Sequence, residues 1–219
     1  MTPTAADRDR DLLRTAAASG TRVTLVTDRV AQTLSDTVTP QGVVAVVRGN
    51  DIGLAEVLAG QPQLLVVMVD AADPGNAGTV IRTSEALGAD AVILAGESVD
   101  PLNPKCVRAT AGSLFHLPVL RGGDTLTAAA TLRGAGVALL ATTLDGDTHD
   151  LDSSAVQAML AGPVAWLFGN EAHGLPESVT AVADARVRIP IRGAAESLNL
   201  AAAAAICLYA TARVQQAGA

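Results

Sequence analysis

The segment that most constrains this chain is the run Leu64-Leu65-Val66-Val67-Met68-Val69, closed by Asp70. Six apolar residues without alternation cannot form a strand with one wet face. They require burial on both faces, as in a parallel sheet covered by helices on either side. The pattern recurs at Ala91–Leu94, Val137–Ala141, Pro163–Phe168 and Val187–Ile191, with a weaker version near 117–120. Helical spacing fills the gaps. One helix carries Val80, Ile81, Ser84 and Leu87 and stops at Gly88; others are predicted near 103–111, over 124–133 and over 197–214. Strand–helix alternation with Gly-containing loops after strands predicts an α/β fold from residue 63 onward, a mostly parallel sheet flanked by helices. Aromatics make up only 2% of the 219 residues against 49% apolar, so the core must be built from Val, Leu, Ile and Ala.

The first 48 residues read differently. A helix over 5–18 ends at Ser19-Gly20, a strand covers Val23–Val26, a helical turn covers Arg29–Leu34, and the turn Thr39-Pro40-Gln41-Gly42 leads to a strand at Val43–Val47. This is a short α/β segment. Residues 49–62, with Gly49, Asn50, Asp51, Gly53, Gly60 and Pro62 around a brief apolar helix, read as a linker. The formal charge of −7 argues against wrapping nucleic acid through bulk charge and leaves a local patch or a dimer groove. Cys106 and Cys207 form no CxxC pair and have no His cluster beside them, so buried thiols are expected rather than a disulfide framework or a metal site. No apolar leader and no run of about 18 apolar residues is present, so the expectation is a cytoplasmic protein without a membrane partner.

Ligands of such sheets bind in loops at the carboxyl ends of the strands. Three loops are rich in small and polar residues. The first is Asn76-x-Gly78-x-x-x-Arg82, opening the helix after Asp70. Asn76 is also a good helix cap. Arg82, a turn and a half into the helix, can meet a phosphate with two parallel hydrogen bonds if it faces the loops, and is otherwise a solvated surface arginine. The second is Leu167-Phe168-Gly169-Asn170-Glu171-Ala172-His173-Gly174, where backbone groups at Phe168 and Gly169 and side chains of Asn170 and Glu171 are available to a ligand. His173 is read as incidental. The third runs Ile189-Pro190-Ile191-Arg192-Gly193 and then Glu196-Ser197-Leu198-Asn199, where Ser197 or Asn199 starts the last helix. An NAD-type site would need G-x-G-x-x-G and an acidic residue about 20 positions on, which the Asp73–Gly78 loop does not supply.

In order and wording these loops resemble the three motifs of the SpoU (TrmH-type) RNA 2′-O-ribose methyltransferases. Asn76, Gly78 and Arg82 match the first motif. Phe168, Gly169, Asn170, Glu171 and Gly174 match the second, and Ile189, Pro190, Ser197, Leu198 and Asn199 the third. Asn103-Pro104-Lys105 with Arg108 and Gly112 also looks like the family. The resemblance covers roughly residues 40–214. Leu200-Ala201 follows Asn199 where the family often has Val-Ser.

The resemblance implies a SPOUT fold with a C-terminal deep trefoil knot, S-adenosylmethionine as cofactor, RNA as substrate (ribosomal before transfer RNA), a homodimer and no metal. It implies a cofactor pocket at Ala141, Thr142, Leu167, Phe168, Gly169, Asn170, Ile189, Ile191, Ser197 and Leu198. It nominates Asn76, Arg82, Glu171, Ser197 and Asn199 for catalysis, and Arg82, Lys105 and Arg108 for RNA. An arginine ordinarily stays protonated, so orienting a phosphate and the hydroxyl suits Arg82 better than acting as a base. Residues 1–48 are similar to the second half of a ribosomal-protein-like RNA-binding domain. A catalytically inactive cofactor- or RNA-binding module is the alternative from another class.

Overall fold

The computed structural model describes residues 1–35, 37–47 and 52–217. The chain divides into two compact units, Met1–Asn50 and Asp51–Ala219.

The first unit contains α1 (Pro3–Arg8), α2 (Arg10–Ala18) and α3 (Asp28–Thr33). The helix expected over 5–18 is therefore broken, because Asp9 sits at φ −106° and ψ 47°, outside the helical region. Thr2 caps α1 through its side chain and Pro3 occupies the first turn, where its missing N–H costs nothing. The strands expected at Val23–Val26 and Val43–Val47 do not form among the described residues. The segments are extended, but their backbone bonds are few: the Met1 ammonium donates to Thr24 C=O at 2.8 Å, Val26 N–H donates to Met1 C=O at 3.0 Å, and Thr2 N–H donates to Gly42 C=O at 2.8 Å. A strand needs a repeated ladder, and these bonds do not extend into one. Gly49, Asn50 and Asp51 of the expected linker lie outside the described residues.

The second unit opens with α4 (Leu54–Ala59), the brief helix expected within the linker. Its Leu54, Val57 and Leu58 pack against the core of this unit. Seven strands follow: β1 (Leu64–Val69), β2 (Ala91–Ala95), β3 (Val119–Arg121), β4 (Ala138–Thr142), β5 (His149–Asp150), β6 (Val164–Phe168) and β7 (Ala185–Arg188). They form one sheet in the order β3-β2-β1-β6-β4-β7-β5, and every pairing is parallel. The helices between them are α5 (Pro74–Ala86), α6 (Pro104–Ala109), α7 (Thr125–Gly134), α8 (Ser154–Leu160), α9 (Glu177–Thr180) and α10 (Leu200–Ala217), with a 3-10 turn at Ser113–Phe115.

Alternate residues of each strand feed opposite cores, as the pleat requires. Leu64, Val66 and Met68 of β1 join Trp166 and Phe168 of β6 beneath α5, α6, α8 and α10. Leu65, Val67 and Val69 join Leu139, Ala141 and Leu167 beneath α4, α7 and α9. Gly78 lets α5 cross α6 closely, since a Cβ there would lie 2.5 Å from both Ala109 Cβ and the Cys106 carbonyl oxygen. The two cysteines are buried free thiols, and burial pushes Cys106 up to about 11 and raises Cys207 further. The last expected strand is displaced. β7 stops at Arg188, because Pro190 has no N–H to give a ladder, and Ile189–Ile191 leave the sheet. The short β5, α8 and α9 were not foreseen.

Trp166 is fully buried and its indole N–H donates to Thr211 Oγ1 of α10 at 2.9 Å. Thr211→Val keeps the shape and removes the acceptor. We expect a loss of about 1–3 kcal/mol, the cost of a buried donor left unpaired. Urea unfolding followed by Trp166 fluorescence, the only tryptophan signal of the chain, checks this as a lower midpoint with unchanged slope.

Candidate active site

Because all pairings are parallel, the loops leaving β1, β4, β6 and β7 emerge at one end of the sheet. The chain runs outward from β1 to β2 and β3, and then returns to the far side of β1, where β6 lies between β1 and β4. A crevice forms beyond the strand ends at such a switch point. Here it is a cavity of about 580 Å³ lined from all four loops and the start of α10, within the range that holds a small-molecule ligand, roughly 300–1,000 Å³.

Side-chain hydrogen bonds tie the three motif loops together. Glu171, on the turn after β6, accepts from the side-chain amide of Asn76 at 3.1 Å and from the backbone N–H groups of Ala72 and Asp73 at 3.3 and 3.4 Å. Asn76 Oδ1 in turn accepts from Asn199 Nδ2 at 3.1 Å. Asn199 Oδ1 caps α10, accepting from the N–H groups of Ala201 and Ala202 at 2.9 and 3.4 Å. The last helix thus starts after Asn199 rather than at Ser197. Asp73 caps α5 through the Asn76 N–H and pairs with Lys105 Nζ at 3.1 Å. That backbone bond, and then Lys105, hold the Asp73 carboxyl below the usual carboxylate range.

The turn after β6 is rigidly built. Asn170 and Gly174 exchange backbone bonds at 3.0 and 2.8 Å. Asn170 Nδ2 donates to the Asp70 carbonyl at 2.7 Å, and its Oδ1 accepts from the N–H groups of Ala172 and His173. Gly169 has no alternative, since a Cβ there would sit 2.1 Å from the Gly174 carbonyl carbon. Across the cavity, Thr142 Oγ1 donates to the Leu167 carbonyl at 2.9 Å, joining the ends of β4 and β6.

Of the expected site residues, Asn76, Thr142, Phe168, Gly169, Asn170, Glu171, Ile189, Ile191, Ser197, Leu198 and Asn199 all line the cavity. Ala141 and Leu167 do not. They belong to the inner rungs of β4 and β6, buried toward α7 and α9, and the Leu167 carbonyl accepts from Thr142, which does line the cavity. Arg82 is exposed on α5 and lies outside the cavity lining. It lies six positions after Asn76, about 600° of helical rotation, so the two side chains leave α5 in different directions. Lys105 and Arg108 also lie outside the cavity, exposed on α6, which packs along α5. Sequence reasoning missed Asp145, His173 and Arg188, which line the cavity too. His173 and Arg188 sit within or beside the motif loops, and that proximity was the available signal. Asp145 follows Thr142 by three residues and carried none. Among the described residues, no group of three or more His, Cys, Asp or Glu is placed to hold a metal, and no helix is long and apolar enough to cross a membrane.

Residues 63–209 match the family model described as the SpoU rRNA methylase family, and residues 2–52 match one described as RNA 2′-O ribose methyltransferase substrate binding. The chain is 34% identical to a 23S rRNA (uridine(2479)-2′-O)-methyltransferase of Streptomyces viridochromogenes, over 95% of this chain and 72% of that protein. It is 32% identical to a 23S rRNA (guanosine(2553)-2′-O)-methyltransferase of Bacillus subtilis, over 87% of this chain and 73% of that protein. The AdoMet-bound rRNA methyltransferase of Sinorhizobium meliloti superposes with a TM-score of 0.80 at 36% identity, covering 93% of this chain and 76% of that one. With its motifs assembled around one cavity and both matches in sequence order, the chain belongs to the SpoU rRNA methylase family.

Proposed function

We propose that this protein is an S-adenosylmethionine-dependent methyltransferase that modifies a ribose 2′-hydroxyl in ribosomal RNA. The observation that carries this reading is the hydrogen-bond chain from Glu171 through Asn76 to Asn199, which brings all three motifs to one cavity. The residues present fit the cofactor. Apolar side chains of Leu144, Val187, Ile189 and Leu198 can hold a flat base, and Thr142, Ser197 and backbone groups of the Gly169 turn supply polar contacts. When bound, S-adenosylmethionine supplies an activated methyl group on its sulfonium. The protein then has to place the 2′-oxygen in line with that methyl and exclude competing water. Asn76, Glu171, Ser197 and Asn199 position the ribose. Arg82, Lys105 and Arg108, exposed together along α5 and α6, bind phosphates. No metal is needed for this transfer.

Ribosomal RNA is preferred to transfer RNA because the similarity to 23S rRNA enzymes runs across both units. In this reading residues 1–48 are an RNA-binding segment, 49–62 a linker and 63–219 the methyltransferase domain, working in the cytoplasm where ribosomal RNA is modified. The insertion of β6 between β1 and β4 supports a C-terminal trefoil knot. On α10, Ile206 and Tyr209 are exposed within an Ala-rich helix, which supports close packing against a second copy as a homodimer.

The test is transfer of labelled methyl from S-adenosylmethionine to unmodified 23S rRNA, followed by digestion. A 2′-O-methylnucleoside is expected, and a base-methylated product would contradict the reading. Gly169→Ala forces the turn after β6 apart and should abolish cofactor binding in calorimetry, while circular dichroism shows the sheet retained. Asn76→Ala should keep cofactor affinity within about threefold yet lower the transfer rate by about 100-fold or more, the loss typical of a group that acts on the transition state.

A further inference from the structure

We propose that Phe115 is a stacking platform for an unpaired base of the substrate RNA, beside the cations of α5 and α6. The inference rests on the methyltransferase reading above and adds a residue to its RNA surface. The chain has two phenylalanines. Phe168 is fully buried and stacks on Trp166, whereas Phe115 is 60% exposed. One exposed apolar side chain is ordinary on a protein surface. The setting of Phe115 is what gives it meaning.

Gly112, at φ +102°, turns the chain out of α6 into the 3-10 turn Ser113–Phe115. Glu85 of α5 anchors this turn. One of its carboxylate oxygens accepts from Ser113 Oγ at 3.4 Å, and the other lies 3.7 Å from His116 Nδ1. Phe115 stands in the chain between these two anchors. Arg82 precedes Glu85 by three residues, so the two are neighbours on the surface of α5. Gly78, one turn before Arg82, packs against Cys106, Ala109 and Thr110, which seats the end of α6 here. Arg108 belongs to that end, and its carbonyl accepts from Ala111 N–H at 3.2 Å in the turn leading to Gly112. Arg121, Arg133, Arg186 and Arg188 of the same unit each meet a carboxylate. Arg82 and Arg108 are exposed and make no ion pair or side-chain hydrogen bond among the described residues. An apolar protein partner would have to desolvate these charges without compensation. Single-stranded RNA suits the combination, with phosphates on the cations and a base on the ring. At 1.5 Å per residue, Glu85 lies about 13.5 Å along α5 from Asn76. The stacked base therefore belongs to a nucleotide flanking the methylated one.

The test is steady-state transfer to unmodified 23S rRNA by the full chain. Phe115→Leu keeps an apolar side chain and removes the aromatic face. It should raise KM for the RNA by about 5- to 150-fold, the equivalent of the ~1–3 kcal/mol carried by a base–aromatic stack. The maximal rate, cofactor affinity and melting temperature should stay as in the unaltered protein. Phe115→Trp should restore KM. The salt slope of RNA binding should be unchanged in Phe115→Leu and should fall by about 1 in Arg108→Gln, since only the second variant removes a phosphate contact. A KM within twofold of the unaltered value in Phe115→Leu, or no recovery in Phe115→Trp, would overturn the proposal and leave the methyltransferase reading intact. Sedimentation of RNA-free Phe115→Leu as a smaller species than the unaltered protein would also overturn it, and would assign this surface to a second copy of the chain. No transfer by the unaltered protein would remove both readings.

Discussion

The carboxylate of Glu171 holds the site together. It accepts the Asn76 amide and two N–H groups at the mouth of α5, and through Asn76 it reaches Asn199 at the head of α10. Three segments are fixed by a few bonds, each of them spanning about a hundred residues of chain. Each such bond contributes only about 0.5–1.5 kcal/mol to stability. Their value is positional, because they set where the cavity walls stand relative to one another.

That network works because the sheet delivers the loops. With every strand parallel, all carboxyl ends point the same way, and the reversal of strand order after β3 leaves a crevice beside β1 and β6. Two glycines sit where backbones come closest. Gly78 seats α6 against α5, which brings Lys105 to Asp73 at the head of α5. Gly169 seats the turn that carries Asn170, Glu171 and His173. The acidic net charge fits the same picture. Carboxylates such as Glu171 and Asp73 are taken up by internal bonds.

Much of this was legible in the sequence. The unalternating runs of β1 and β6 demanded burial on two sides, and the three motifs marked the loops that meet. Eleven of the expected site residues line the cavity, because they belong to segments whose spacing is local. What escaped depends on distances through space. Asp145 and Arg188 join the site only because β4 and β7 are neighbours, a pairing that no local pattern announces. His173, on the Asn170–Gly174 turn, is among the lining residues. Arg82 carries the motif, yet helix rotation turns it away from Asn76. Residues 23–26 and 43–47 have the apolar content of strands and lack the ladder partners that would make them so. The two-residue β5 and the short α8 and α9 are too brief for periodicity to reveal.

The central claim is that Glu171 and Asn76 act as one unit in shaping the site. A double-mutant cycle on methyl transfer, comparing Glu171→Ala, Asn76→Ala and the double variant, measures this directly. If the pair is one unit, the double variant is little worse than either single one, as expected for residues in one network. Losses that multiply, so that the double variant shows the full product of the two single effects, would contradict the account and make the bond between them incidental.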